Sequence, residues 1–155
     1  MPLLRAALSW NFVLATAICA SLLAQLIKVL LNLFIFHRFI AERMWGAGGM
    51  PSSHSATVCA MVVATGRYCG VNSPIFAIAA GLSIIVLYDP MGVRYETGEQ
   101  AKVLNRMFTE WMDQGFEQFQ LPHGKKLKEM VGHTPIEVVT GAALGIVLGF
   151  AMPMV

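Results

Sequence analysis

Charge is scarce in this chain. Only 13% of its 155 residues are charged and 56% are hydrophobic. A soluble domain of this length needs more polar surface than that composition supplies. The net charge of +2 offers no basic field to a nucleic acid, so no nucleic-acid partner is expected. Cysteine is equally sparse. Cys19, Cys59 and Cys69 form an odd set without CxxC spacing, which argues against a disulfide framework and against a zinc site. Cys59 and Cys69 read as packing residues, and neither a metal nor another cofactor is implied. Internal repeats and low-complexity tracts are lacking too, and the length leaves room for one domain, residues 1–155.

What is present is apolar sequence in four blocks: residues 10–36, 55–69, 73–92 and 135–155. The first runs too long for a signal peptide, whose apolar core is short, and reads as a retained span. A span needs roughly 20 residues. The second block is shorter than that, so it borrows residues from Pro51 onward or is re-entrant. The expected fold is therefore all-α, a polytopic membrane helical bundle of about four transmembrane helices. One long polar connection, 93–132, interrupts the pattern. Within it Val103, Leu104, Met107, Phe108 and Trp111 recur at helical spacing, which predicts an amphipathic helix over about 98–119. Such a helix lies on the membrane surface or caps the bundle. Leu121-Pro122-His123-Gly124 reads as its stop signal.

Positive charge is unevenly divided by four spans. One side carries Arg5 and Arg67. The other carries Arg38, Arg43, Arg94, Lys102, Arg106, Lys125, Lys126 and Lys128. The rich side is expected to be cytoplasmic and both termini extracytoplasmic. Lys28 belongs to neither side, because it lies inside the first span. A lysine there is costly and is usually functional or paired. Ser21, Gln25, Lys28 and Asn32 share one helical face, which is expected to line the bundle interior. A snorkelling lysine near the span end is the plainer alternative.

Three unusual stretches mark span ends: residues 48–55, 88–94 and 132–137. The four-span arrangement puts all three on the positive side, which favours one shared site. In the first, Pro51 suits an opening helical turn. Ser52 and Ser53 sit beside the N–H groups of a helix N-terminus, a natural anion site. His54 adds a proton donor tunable near neutral pH. The simpler reading is a cap beside a surface histidine. In the third stretch Thr134-Pro135 opens a helix, and His133 and Glu137 stand one turn apart. A carboxylate on one imidazole nitrogen fixes the tautomer and leaves the other nitrogen free to attack. Here the simpler reading is a capping Glu and an incidental His. In the second stretch, Asp89 and Arg94 are expected to pair and orient the connection, or Arg94 contacts phosphate directly.

Taken together, Lys28, then Pro51-Ser52-Ser53-His54, then His133-Thr134-Pro135-Ile136-Glu137 resemble the type-2 phosphatidic acid phosphatase superfamily, which includes the vanadium haloperoxidases. The resemblance is strongest to its divergent branch of small membrane proteins, described as acid phosphatase/haloperoxidase-related, and covers nearly the whole chain. It implies His133 as the nucleophile that forms a phosphohistidine, Glu137 (in place of Asp) as its orienting carboxylate, and His54 as general acid. Lys28, Ser52 and the backbone at Ser53 would hold phosphate oxygens. The pattern departs from the superfamily at three points. Ile35-Phe36 stands where an Arg-Pro is expected, Ser53 replaces Gly, and Leu127 occupies the position of an Arg six residues before His133. Arg94 is the first choice to substitute, with Lys126 and Lys128 behind it.

The first functional reading is a metal-free phosphatase of a lipid or polyprenyl phosphate. It would sit in a bacterial inner membrane or organelle equivalent, with the bilayer as partner and the site on the cytoplasmic side. The alternatives are a non-catalytic protein that keeps the phosphate pocket for headgroup binding or assembly, and a small transporter using the Lys28 stripe. Substrate identity and homo-oligomerisation are left open by the sequence.

Overall fold

A computed structural model describes residues 11–36, 49–114, 126–129 and 133–154. Its elements are all helical: α1 Phe12–Phe36, α2 Ser53–Cys69, α3 Pro74–Met91, α4 Val93–Asp113 and α5 Pro135–Ala151. Two stretches are long and apolar enough to cross a membrane, Phe12–Phe34 and the nearly continuous Pro74–Asp113. α5 is apolar but shorter, at 17 residues. Expectations that rested on Arg5, Trp10, Arg38, Arg43, residues 121–125, Gly132 and both termini fall outside the described residues.

α2 is the central element and packs against α1, α3 and α5. At about 1.5 Å per residue its 17 residues fall short of the roughly 30 Å hydrocarbon core, and its neighbours shield it. Close approach is possible because the contact residues are small. Ala20 and Ala24 of α1 meet Ala56 and Ala60 of α2, with Leu144 and Leu148 of α5 closing over them. Hydroxyls inside the bundle are satisfied locally: Thr16 donates to the Phe12 carbonyl at 2.7 Å, Thr65 to Met61 at 2.7 Å and Ser83 to Ala79 at 2.8 Å. Such back-bonding keeps polar atoms paired where water is scarce. Ser83 also reaches across to the Val58 carbonyl at 3.3 Å, tying α3 to α2.

Gly141, Gly145 and Gly149 of α5 form the closest seam. A Cβ at Gly141 would overlap the Ser52 carbonyl oxygen, one at Gly145 the Ala56 carbonyl oxygen, and one at Gly149 would come within 2.7 Å of Val63 Cβ. The contact is intrachain, as the shared face with His133 and Glu137 predicts. Helical spacing alone favours the polar Ser21–Asn32 face of α1 as the partner of this seam, but the partner is α2. Small residues at this contact let the backbone at Ser52 and Ala56 meet Gly141 and Gly145, while Gly149 meets the Val63 side chain.

One end of the bundle is pinned by Arg67. Its guanidinium donates to the carbonyls of Gly149 (2.6 Å) and Met152 (2.8 Å), where the C-terminal helix dipole favours a cation. Phe12 lies beneath it, 5.6 Å away, and stacks near Tyr68 at 6.2 Å. The start of α1 and the ends of α2 and α5 therefore share one end. Cys59 is buried, as expected of a packing residue, but Cys69 is exposed at the end of α2. The turn at Gly70 lifts it clear of the bundle.

The connection also differs from expectation. α3 runs through Pro90 to Met91, and α4 begins at Val93, not near 98, and is described to Asp113; the expected end near 119 lies outside the described residues. Pro90 removes only one N–H, and the helix absorbs that loss within its last turn. α4 packs on no other described helix than α3, so among the described elements it does not cap the bundle.

The glycine seam generates a stability test. Gly145→Ala forces a methyl into backbone, and overpacking of that kind costs typically about 1–3 kcal/mol. Gly81, in α3, has open space around its Cβ position, so Gly81→Ala is expected to be neutral or to gain up to about 1 kcal/mol from helix propensity. Thermal unfolding of the two variants in detergent micelles should separate them in that order.

Candidate functional site

The second end of the bundle gathers all three motif stretches around Glu137. This residue is in the first turn of α5, whose N-cap is Thr134 and first residue Pro135. One carboxylate oxygen, Oε2, faces His133 Nδ1 at 3.0 Å and accepts from the Thr134 backbone N–H at 3.1 Å. The other, Oε1, accepts from the Gly49 N–H at 3.2 Å. The Glu137 carbonyl accepts from the Ser52 N–H at 3.0 Å. Capping the helix and orienting the histidine, which the sequence posed as alternatives, are performed by one side chain.

His133 is 4% exposed. Its N–H donates to the Pro90 carbonyl at 3.2 Å, so the break after α3 anchors the residue that precedes α5. With Nδ1 turned to Glu137, Nε2 is the ring nitrogen left for other chemistry. His54, in the first turn of α2, is exposed, and its ring centre stands 6.2 Å from that of His133.

Ser52, fully buried, caps α2 by accepting the Ser55 N–H at 3.3 Å. Pro51 therefore precedes the cap rather than opening the first turn, which is a correction to the sequence reading. Ser53 is buried, and its carbonyl accepts from the Thr57 hydroxyl at 2.7 Å. The first N–H groups of α2 have no intrahelical acceptor and lie beside both histidines. Gly49 holds a positive φ of 90°, a conformation that side chains resist. That conformation turns its N–H to Glu137.

Lys28 is 2% exposed. Its aliphatic stem runs alongside Gly49, about 3.5 Å from where a Cβ would sit. Its ammonium is within electrostatic reach of the Glu137 carboxylate and of His54. It thus points into the bundle and does not snorkel.

Arg94 is engaged elsewhere. Its Nε donates to Asp89 Oδ2 at 2.6 Å, with both side chains about half exposed. It is within electrostatic reach of His54 but is not seated among the buried residues. Lys126 and Lys128 are exposed and belong to a segment held against α4. Among the described residues no group of three or more His, Cys, Asp or Glu side chains is placed to hold a metal ion.

Two contacts escaped the sequence reading: Gly49 to Glu137, and His133 to the Pro90 carbonyl. The adjacent glycines at 48 and 49 were the available signal for the first. Nothing local signals the second.

Comparison with known proteins agrees with the motifs. The sequence profile of the family described as the divergent PAP2 family matches residues 9–148. An uncharacterized membrane protein of Bacillus subtilis, YuiD, is 37% identical over 144 residues, covering 89% of this chain and 91% of that protein. No solved structure matches.

The Glu137 contacts carry a spectroscopic expectation. ¹⁵N NMR of histidine-labelled protein should show the Nδ1–H of His133 held in one hydrogen bond to the Glu137 carboxylate. Glu137→Ala should abolish that signature and also broaden the Gly49 amide. A His133 spectrum unaffected by the substitution would contradict the geometry.

Proposed function

Because the chain belongs to the divergent PAP2 family, and is a membrane protein by that membership, we propose that it hydrolyses a lipid or polyprenyl phosphate through a phosphohistidine. The observation that carries this reading is the contact of the buried His133 with Glu137 at 3.0 Å, with the His54 ring centre 6.2 Å from that of His133. That spacing lets both imidazoles reach one phosphoryl group. In the proposed reaction His133 Nε2 attacks phosphorus, and the bond from phosphorus to the leaving oxygen breaks. His54 gives that oxygen its proton. Water, deprotonated by His54, then cleaves the phosphorus–nitrogen bond and releases phosphate.

Glu137 stabilises the positive charge on His133 and keeps Nε2 aimed. Lys28, the Ser52 hydroxyl and the N–H groups opening α2 face the charge that develops on the phosphoryl oxygens. Arg94 acts at one remove: paired with Asp89, it fixes the end of α3 whose Pro90 carbonyl anchors His133.

A second reading is favoured by one observation: the arginines of the wider superfamily pattern are absent, and Arg94 is tied to Asp89. On that reading the pocket binds phosphate headgroups without turnover. An assay with lipid phosphates separates the two. Catalysis predicts hydrolysis that survives EDTA, is blocked by vanadate, and falls at least about 100-fold in His133→Ala and in His54→Ala. It also predicts a labelled, acid-labile phosphoenzyme that His133→Ala cannot form. Saturable phosphate binding without turnover in the wild-type protein would establish the second reading.

We further propose four spans, formed by α1, α2, α3 and α5, with both termini extracytoplasmic and the site at the cytoplasmic end. The charge bias of the connections supports this orientation. Cys69 reports on it directly. It is exposed at the end opposite His133, so an impermeant maleimide should label it in intact cells, and Cys69→Ser should abolish the labelling. Labelling of Cys69 only after permeabilisation would reverse the orientation.

A further inference from the structure

α4 carries a surface that the site does not use. Val103, Leu104 and Met107 are exposed and lie on one helical face with Phe108 and Trp111. Glu99, Lys102, Arg106 and Glu110 occupy the other face and neutralise one another, Lys102 with Glu99 at 2.6 Å and Arg106 with Glu110 at 3.0 Å. Its only neighbour among the described helices is α3, whose Ile78, Ile84, Ile85 and Tyr88 are themselves largely exposed. The apolar stripe therefore continues directly from a candidate membrane span.

A second feature fixes the charge beside this stripe. Asn105, buried in the middle of α4, clasps the segment 126–129. Its Nδ2 donates to the Leu127 carbonyl at 2.9 Å and to Glu129 Oε1 at 2.8 Å, and its Oδ1 accepts the Leu127 N–H at 2.8 Å. Asn105 thereby imitates the edge of a strand. It holds Leu127 by its backbone and keeps Lys126 and Lys128 next to α4, both exposed. Neither lysine has an ion-pair partner among the described residues. The two ion pairs neutralise the middle of the polar face. Exposed Glu96 and Asp113 stand about two turns to either side of Asn105, so the positive charge next to Asn105 is that of Lys126 and Lys128, with Glu129 held by the Asn105 amide.

We propose that α4 is an interfacial helix. Its Val103–Leu104–Met107 stripe is sunk at the headgroup–acyl boundary, and Lys126 and Lys128 contact anionic lipid headgroups. An apolar stripe flanked by unpaired lysines fits that surface in both its chemistries. Another copy of the chain is the poorer occupant. A few half-covered side chains on one helix fall well short of the roughly 800 Å² per partner that stable interfaces bury. They also leave the lysines facing their own kind. Asn105 is the positioning residue that couples the apolar and the basic halves. This surface is separate from the histidine site and stands whether or not that site turns over.

The full chain in nanodiscs provides the test. A nitroxide is placed at Val103→Cys or Met107→Cys on the stripe, or at Arg106→Cys on the polar face, in a background lacking Cys19, Cys59 and Cys69. Stripe labels should be more accessible to oxygen than to a water-soluble nickel chelate, and the label at 106 the reverse. The contrast should grow when phosphatidylglycerol replaces part of the phosphatidylcholine. Lys126→Gln with Lys128→Gln should remove that lipid dependence while leaving the stripe oxygen-facing. Asn105→Ala should do the same, and circular dichroism confirms that the helices persist. Equal water accessibility at 103 and 106 overturns the proposal. So does protection of 103 that appears only with spin–spin broadening between copies, which would assign the stripe to self-association. A phosphatidylglycerol response unchanged in Asn105→Ala overturns the role of the clasp.

Discussion

The structure depends on the contacts gathered by one partly buried carboxylate. The Glu137 side chain is 18% exposed, and its two oxygens are met by Gly49, Thr134 and His133, with Lys28 within electrostatic reach. Lys28, Gly49 and the adjacent pair His133 and Thr134 come from three parts of the chain. The contacts of one side chain therefore bring together α1, the loop before α2 and the start of α5. The anchor of His133 on the Pro90 carbonyl adds the end of α3. Small residues make the convergence possible. The Gly141 and Gly145 backbone lies against Ser52 and Ala56, and only at that separation does the Ser52 N–H reach the Glu137 carbonyl.

The Glu that stands where the wider superfamily pattern has Asp has a geometric consequence. The side chain is one methylene longer and projects from the third position of its helix. It spans the distance to Gly49 with one oxygen while the other serves His133 and the helix cap. Gly49 is able to answer because its φ of 90° turns the N–H toward α5. The loop that carries Ser52, Ser53 and His54 is thus held by the same group that orients the nucleophile candidate. Movement of either segment disturbs the other.

Much of this was legible in the sequence, for reasons that are local. Lys28 announces itself by being charged inside an apolar run. His133 and Glu137 are one helical turn apart, so their contact follows from helix geometry alone, as does the shared face of the three glycines. What helix geometry omits is the identity of the neighbour. It places the glycines inward, but the Ser21–Asn32 face of α1, the expected partner, gives way to α2, because Ser52, Ala56 and Ala60 leave the backbone there bare. Asp89-Pro90 carries turn chemistry, yet the helix runs on to Met91 because a proline near a helix end forfeits little. The Asn105 clasp joins residues 22 positions apart. An asparagine within a helix gives no local sign that its amide will pair with a distant backbone.

The missing arginines bear on how charge is distributed at the site. Leu127, at one of their positions, contributes its backbone to Asn105, and Arg94 gives its guanidinium to Asp89. The positive potential around the two histidines then comes from Lys28, from Arg94 as far as Asp89 leaves it unbalanced, and from the N-terminus of α2, a source equivalent to about half an elementary charge. Helix N–H groups are fixed in position and need no rotamer ordering to meet an anion, so they replace part of what a guanidinium fork supplies. They cannot replace its full charge.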